Sequence, residues 1–243
     1  MGSQVNKYGQ QLLDMLLPQQ CTLCGLPSHR SLPLCVDCAA ELTPNHTACT
    51  RCAIPLAPGQ GPKSLCGNCL RRPPPFHRVI APWQYSEYLG HLIHRWKFSG
   101  DLGMTPLLAG LWQQQARPCP VDLLVPVPLH WWRQWRRGFN QSELLARRLQ
   151  GDCQELQSSP IDTRLVRRHR ATAVQSGSNA QARARNLRGA FTVTRPCDNL
   201  RIAVIDDVLT TGGTAAEIAR ELGKAGARHI EIWCLARTPA PGA

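Results

Sequence analysis

The stretch "VIDDVLTTGGT", Val204 to Thr214, decides the fold. Just ahead and into it, Ile202, Ala203, Val204 and Ile205 form an unbroken apolar run, the pattern of a strand buried on both faces of a parallel sheet. Behind it, Ala215 to Gly226 is rich in Ala, Glu, Ile and Leu and closes on a glycine, which predicts a helix with its C-terminal cap. Two adjacent carboxylates, Asp206 and Asp207, and a Thr/Gly loop therefore lie between a strand's carboxyl end and a helix's N-terminus. Ligands of open α/β sheets bind at that edge. Backbone amides of such a loop, together with the positive end of the next helix, can receive a phosphate. An ordinary βα connection is the plain alternative, but it seldom needs paired acids, two glycines and three hydroxyls at once.

A magnesium-holding strand of a nucleoside triphosphatase also ends in Asp-Asp. It needs a separate G-x-x-x-x-G-K-[ST] cradle earlier in the chain, and the sequence has none. The Gly223-Lys224 pair lies inside the predicted helix and lacks the upstream glycine. The phosphate loop is then Thr210 to Thr214 itself, and the stretch resembles the phosphoribosyl pyrophosphate (PRPP) motif of type I phosphoribosyltransferases. That resemblance implies that Asp206 and Asp207 hold the ribose 2′ and 3′ hydroxyls. It also implies that Val208, Leu209, Thr210, Thr211, Gly212, Gly213 and Thr214 form the loop around the 5′-phosphate.

The cysteines mark a second module. Of twelve, eight form four C-x-x-C pairs, "CTLC", "CVDC", "CTRC" and "CGNC", between Cys21 and Cys69. Each pair makes a knuckle with two thiolates aimed at one ion, and two knuckles complete the S₄ shell that Zn²⁺ prefers. Sequential pairing puts Cys21, Cys24, Cys35 and Cys38 on one zinc and Cys49, Cys52, Cys66 and Cys69 on the other. An interleaved cross-brace also satisfies the count, but sequential ribbons close shorter loops and are preferred. Fully ligated sites of this kind are structural, with no position open for catalysis. A redox C-x-x-C would instead stand singly beside a βαβ pattern. So short a segment lacks the apolar residues for its own core, and the metal must supply its folding energy. His29 and His46, inside the module, read as surface residues.

Nothing at the N-terminus reads as a secretory signal, because Leu12 to Leu17 is broken by Asp14 and has no basic lead or cleavage site. No span approaches a membrane helix. The expectation is a cytoplasmic protein in a reducing compartment, where paired cysteines mean metal. The net charge of +12 points to anionic partners, a sugar polyphosphate or nucleic acid, with a solubilising basic surface as the bland alternative.

The remaining chain alternates strand-like and helix-like patterns: Val79 to Trp83, helices around Leu89 to Trp96 and Thr105 to Gln115, then a core strand at Leu123 to Val125 ended by Pro126 and Pro128. "WWRQWRRGFNQ" follows as a second βα loop on the same sheet edge, with its helix starting near Asn140 or Gln141. Guanidinium forks there suit a pyrophosphate, and the three tryptophans suit either rim packing or base stacking. His91 and His94 read as half-buried helix residues. Thr172 to Phe191 reads as a long polar loop with the character of a lid. Phe191 to Thr194 reads as a short strand, and "HIEIWCLAR" as a closing strand.

Taken in order, "VPVPLHWWRQWRRGFNQSELLA", "QSGSNAQARARNLRGAF" and "VIDDVLTTGGT" behind a double zinc ribbon closely resemble the ComF/GntX family of competence and DNA-utilisation proteins. The resemblance covers Cys21 to about Arg237. It implies an α/β type I phosphoribosyltransferase fold, a mostly parallel sheet flanked by helices, behind a small N-terminal zinc-ribbon module. The expected division is a helical segment over 1–20, the double ribbon over 21–70, a Pro-rich linker over 71–76 and the phosphoribosyltransferase domain over 77–243. The resemblance places Arg136, Arg137, Gly138, Asn140 and Gln141 in a pyrophosphate loop and Gln175, Arg183 and Asn186 in a flexible loop. It implies two structural Zn²⁺ ions, and Mg²⁺ bound with PRPP. It further implies phosphoribosyl transfer to an unnamed acceptor, or else a non-catalytic accessory that binds PRPP or single-stranded DNA, or meets a DNA-uptake or recombination protein. No general base stands out in the motifs.

Overall fold

The computed structural model describes residues 19–61, 64–169 and 187–240. In the cysteine module two one-turn helices occur, α1 (Val36–Ala40) and α2 (Gly67–Arg71). Then follow β1 (Arg78–Ile80), β2 (Trp83–Gln84), α3 (Glu87–Phe98), α4 (Met104–Gln115), β3 (Leu123–Pro126), α5 (Trp131–Arg137) and α6 (Gln141–Asp152). A 3₁₀ turn at Gln154–Leu156 leads to β4 (Val166–Arg168), β5 (Phe191–Val193), β6 (Arg201–Ile205), β7 (Val208–Leu209), α7 (Gly213–Lys224), β8 (His229–Trp233) and β9 (Ala236–Arg237).

The central sheet has the order β1-β8-β6-β3, and all its pairs are parallel. Past their ends three of these strands, β1, β8 and β6, continue as a second parallel tier, β2-β9-β7. β4 and β5 form an antiparallel pair apart from it. The apolar run that announced β6 is buried on alternate faces. Ala203 and Ile205 join Leu92, Trp96, Leu108, Trp112 and Leu145 on one side, while Ile202 and Val204 join Val125, Ile218, Leu222 and Ile232 on the other. Helices α3, α4 and α6 cover the first face and α7 the second. Pro126 is tolerated in β3 because β3 is an edge strand, whose outward side needs no ladder donor. The expected α/β class, a parallel sheet with flanking helices behind a cysteine module, is the one found.

Two readings are corrected. The segment Trp131–Arg137 is a helix rather than a loop: His130 Nδ1 accepts from Trp132 N at its start, and Gly138, at φ +77°, ends it in the left-handed region that glycine adopts freely. His91 and His94 are exposed, because the buried stripe of α3 runs through Leu89, Leu92, Ile93 and Trp96. As its composition implied, the cysteine module has no core of its own. Cys21, Leu34 and Leu42 belong to the cluster containing Trp112 and Leu108, so a segment too poor in apolar residues shares the domain's core. Hydrogen bonds from Asn45 N to Pro82 O (2.8 Å) and from Gln84 N to Thr43 O (2.9 Å) stitch the two together.

Candidate functional site

β6 ends at Ile205, the middle of the sheet, and delivers Asp206 and Asp207 to its carboxyl edge. Asp206 N donates to Trp233 O at 2.8 Å, and its Oδ1 accepts from Asp207 N at 2.8 Å. Asp207 Oδ1 accepts from Val208 N (2.6 Å), and its Oδ2 pairs with Lys97 Nζ (2.8 Å). The two acids therefore differ. Burial, with the adjacent Asp207 charge, raises Asp206 from 3.8 to about 7, against the pull of the Asp207 amide, Lys97 and Arg168. Asp207 has a cation in contact.

Val208 and Leu209 form β7, which leads into the loop, with Val208 half-buried and Leu209 buried. Thr210 and Thr211 are exposed, and Gly212, Gly213 and Thr214 half-buried. Gly212 is the N-cap of α7 at φ +78°, a conformation strained for any side chain although space is open around it. Neither a capping side chain nor an acid occupies the first turn of α7. Its free amides and positive dipole end are thereby open to an anion.

Of the pyrophosphate-loop residues, Arg137 reaches the site. Its guanidinium lies 4.8 Å over the Phe98 ring, NH1 donates to Gln141 Oε1 at 3.2 Å, and Asp207 is within electrostatic range. Burial lowers its pKa, the Asp207 charge opposes that, and Arg133 and Arg136 add to it, so three guanidiniums crowd one place. Gly138 is exposed, and Arg136 projects to the surface. Asn140 and Gln141 act from behind. Asn140 caps α6, accepting from Ser142 N (3.0 Å) and donating to Val127 O (3.1 Å), while Gln141 is fully buried under Arg137 with its Nε2 unpartnered. Gln175, Arg183 and Asn186 lie outside the described residues. Two site residues escaped the sequence reading, Lys97 and Arg168. Arg168, at the end of β4, sits 5.5 Å from the Phe191 ring and within range of both Arg133 and Asp206. For Lys97 the signal was "WKFSG", a cation in the last turn of a helix closed by Ser-Gly; for Arg168 there was none.

The cysteines fall into Cys21, Cys24, Cys35, Cys38 and Cys49, Cys52, Cys66, Cys69, with the sulfurs of each group within 4.8 Å of one another. This is the sequential arrangement. Zn–S bonds of about 2.3 Å in a tetrahedron place sulfurs about 3.8 Å apart, and Cys24–Cys35 and Cys52–Cys66 are both 3.7 Å. Each group also holds one thiol poised to ionise. Burial opposes ionisation, but amides of neighbouring cysteines outweigh it and lower Cys21 to about 6 and Cys49 to about 7. The donor set fits structural Zn²⁺.

A double zinc ribbon domain matches residues 12–70. The DNA utilization protein YhgH of Salmonella typhi is 38% identical over 238 residues, which covers 92% of this chain and 99% of that protein. Competence protein F of Haemophilus influenzae is 33% identical over 218 residues, 86% of each chain. The chain belongs to the ComF/GntX family. A solved purine phosphoribosyltransferase from Pyrococcus horikoshii overlaps 60% of this family member and 73% of its own chain, at 20% identity and a TM-score of 0.32. In this ComF/GntX chain, no helix among the described residues is long and apolar enough to cross a membrane.

Proposed function

We propose that the chain has a type I phosphoribosyltransferase domain that binds PRPP at the carboxyl edge of β6. On this reading it transfers the phosphoribosyl group to an acceptor with release of pyrophosphate, in the DNA utilisation and competence for which its relatives are named. The observation that carries the reading is the acid pair at the end of a central strand, followed at once by an uncapped helix N-terminus and faced by Lys97 and Arg137. Asp206 and Asp207 hold the ribose hydroxyls, with Lys97 moving from Asp207 to the ligand as the sugar arrives. Thr210 to Thr214 take the 5′-phosphate. The C1–oxygen bond to pyrophosphate breaks through an oxocarbenium-like state, as in glycoside cleavage, and Arg137 and Lys97 neutralise the departing charge. Mg²⁺, when bound with PRPP, supplies further charge neutralisation. Both Asp207 oxygens already have partners, so the substrate's oxygens and waters would hold most of that ion's shell. Calorimetry with PRPP and Mg²⁺, joined to a pyrophosphate-release assay across bases and amines, tests this. Absence of binding at millimolar PRPP overturns it.

A second reading has its own support. Trp131, Trp132 and Trp135 on α5 are 69%, 50% and 74% exposed, and the Trp132 and Trp135 rings stack at 5.2 Å. With Arg133 between them in the chain and Arg136 directly after, they form a basic aromatic platform of the kind on which single-stranded DNA stacks. On this reading the chain is an accessory that holds a strand without turnover.

A further inference from the structure

Arg237 lies on β9, far from the loop segments in sequence, and is 7% exposed. Its donors end on backbone carbonyls of three segments. NH1 donates to Leu209 O at 2.9 Å, to Thr238 O at 2.8 Å and to Thr210 O, and Nε donates to Cys52 O at 3.1 Å. Leu209 and Thr210 are where β7 turns into the phosphate loop. Cys52 belongs to the second cysteine cluster, its sulfur 3.7 Å from that of Cys66. One rigid, planar guanidinium thus spans a metal knuckle and the start of the loop. A second tie runs parallel to it: Asn45 Nδ2 donates both to Ala53 O (2.8 Å) and to Ala81 O (3.1 Å), joining the same knuckle to the end of β1.

The knuckle's backbone is closed by its own bonds, Cys49 N to Ile54 O (2.9 Å) and Ala53 N to Cys49 O (2.8 Å), and metal ligation adds to what keeps it so. When the knuckle loosens, the Cys52 carbonyl leaves its place and Arg237 loses the acceptor that fixes the direction of its fork. The carbonyls of Leu209 and Thr210 are then held less firmly. Among the described residues the first cluster makes no hydrogen bond to the loop carbonyls, and its path to the site is the longer one through α3, whose Lys97 pairs with Asp207. Its ties run to α3, through Arg95 NH1 on Thr22 O (3.0 Å), and to the shared core through Leu34 and Leu42.

We propose that Arg237 is a positioning residue that couples the second cysteine cluster to the Thr210–Thr214 loop, so that metal at Cys49, Cys52, Cys66 and Cys69 sets how often the loop is competent to take a phosphate. The phosphate part rests on the PRPP reading above; the coupling itself does not. The apparent affinity of a ligand falls in proportion to the fraction of competent protein, so a loop competent one time in ten binds about tenfold more weakly. Lysine at 237 keeps the charge but not the planar fork, and does not restore the coupling.

The test uses the full chain and three variants: Cys66→Ser, Cys24→Ser and Arg237→Lys. Zinc per chain, amide hydrogen exchange over residues 207–214, and calorimetric affinity for PRPP with Mg²⁺ are measured on each. Cys66→Ser and Arg237→Lys are expected to speed exchange in the loop and to weaken PRPP about tenfold. Cys24→Ser loses one zinc as well, yet leaves the loop as it is. Loop exchange unchanged in Cys66→Ser once the second zinc is gone overturns the coupling, and so does equal loosening in Cys24→Ser. Should Arg237→Lys fail to fold, the contrast between the two cysteine variants decides. Wild type that ignores PRPP, with a loop that loosens in Cys66→Ser, removes the PRPP reading and keeps the coupling. Wild type that binds PRPP, with a loop indifferent to the second zinc, does the reverse.

Discussion

Replacing Asp206 by asparagine should make the protein more stable at pH 8 and change little near pH 4. Asp206 sits behind β6 with Asp207 beside it, and its pKa stands at about 7 against 3.8 for the free side chain. A carboxyl whose folded pKa is raised stabilises the fold while protonated. That contribution is fully present below about pH 4 and is lost as the pH climbs through the folded value near 7. A shift of about three units at about 1.4 kcal/mol each gives roughly 4 kcal/mol of cost above pH 7 and under about 1 kcal/mol at pH 4. Asparagine carries no charge to desolvate, and its Oδ1 can still accept from the Asp207 amide as Asp206 Oδ1 does at 2.8 Å. Urea unfolding of both proteins at pH 4, 6 and 8, with no ligand, reads the difference. The gap should open between pH 4 and 7 and level off above. Two parallel stability profiles, or a variant less stable at pH 8, would refute the claim that the site holds a carboxylate at a cost. The same cost is what a ligand hydroxyl or cation would relieve, a trade of stability for function common in binding sites.

Other outcomes follow from the same geometry. Elemental analysis should find two zinc ions per chain, and Cys21→Ser with Cys24→Ser should leave one. Chelation should lower the melting temperature of the whole chain rather than release an intact second domain, because Cys21, Leu34 and Leu42 lie in the shared core; a second, unshifted transition would contradict this. Lys97→Met should weaken PRPP binding at least tenfold, an ion-pair partner of the acid site being lost; calorimetry reads it, and unchanged affinity speaks against a role for Lys97. If α5 serves single-stranded DNA, changing Arg133 and Arg136 to Ala should reduce the slope of log affinity against log salt by up to about 1.4, at about 0.7 per phosphate. If α5 serves PRPP alone, the slope should not move.

The parts of this molecule that repeat a local rule could be read from the chain. β6 announced itself because a strand buried on both faces has no polar side to interrupt it, and the loop after it because only glycine sits easily at the φ of Gly212. The cysteine grouping was legible because ligation needs fixed short spacings. α5 was misread as loop because "WWRQWRR" buries nothing: its ends are made by His130 and Gly138, not by an apolar face. Lys97, Arg168 and Arg237 depend on the topology. Asp207 stands 110 positions from Lys97, and Cys52 185 positions from Arg237. No pattern along the chain records such distances until β8 lies between β1 and β6.

That topology also explains why the cysteine module stands where it does. The second tier β2-β9-β7 carries three strands past the main sheet, and a tier two residues deep has little ladder to hold it. Its flank on β2 is met by the module, through Gln84 N on Thr43 O and a bridge between Pro44 and Trp83, and its arginine reaches the module again at Cys52. The loop that closes this tier is Thr210 to Thr214. A sheet of ordinary depth would not need an outside brace at that edge. On the coupling proposed above, this brace is folded by metal at Cys49, Cys52, Cys66 and Cys69, so the stiffness of the acid-and-threonine site and the filling of that cluster answer to one energy rather than two.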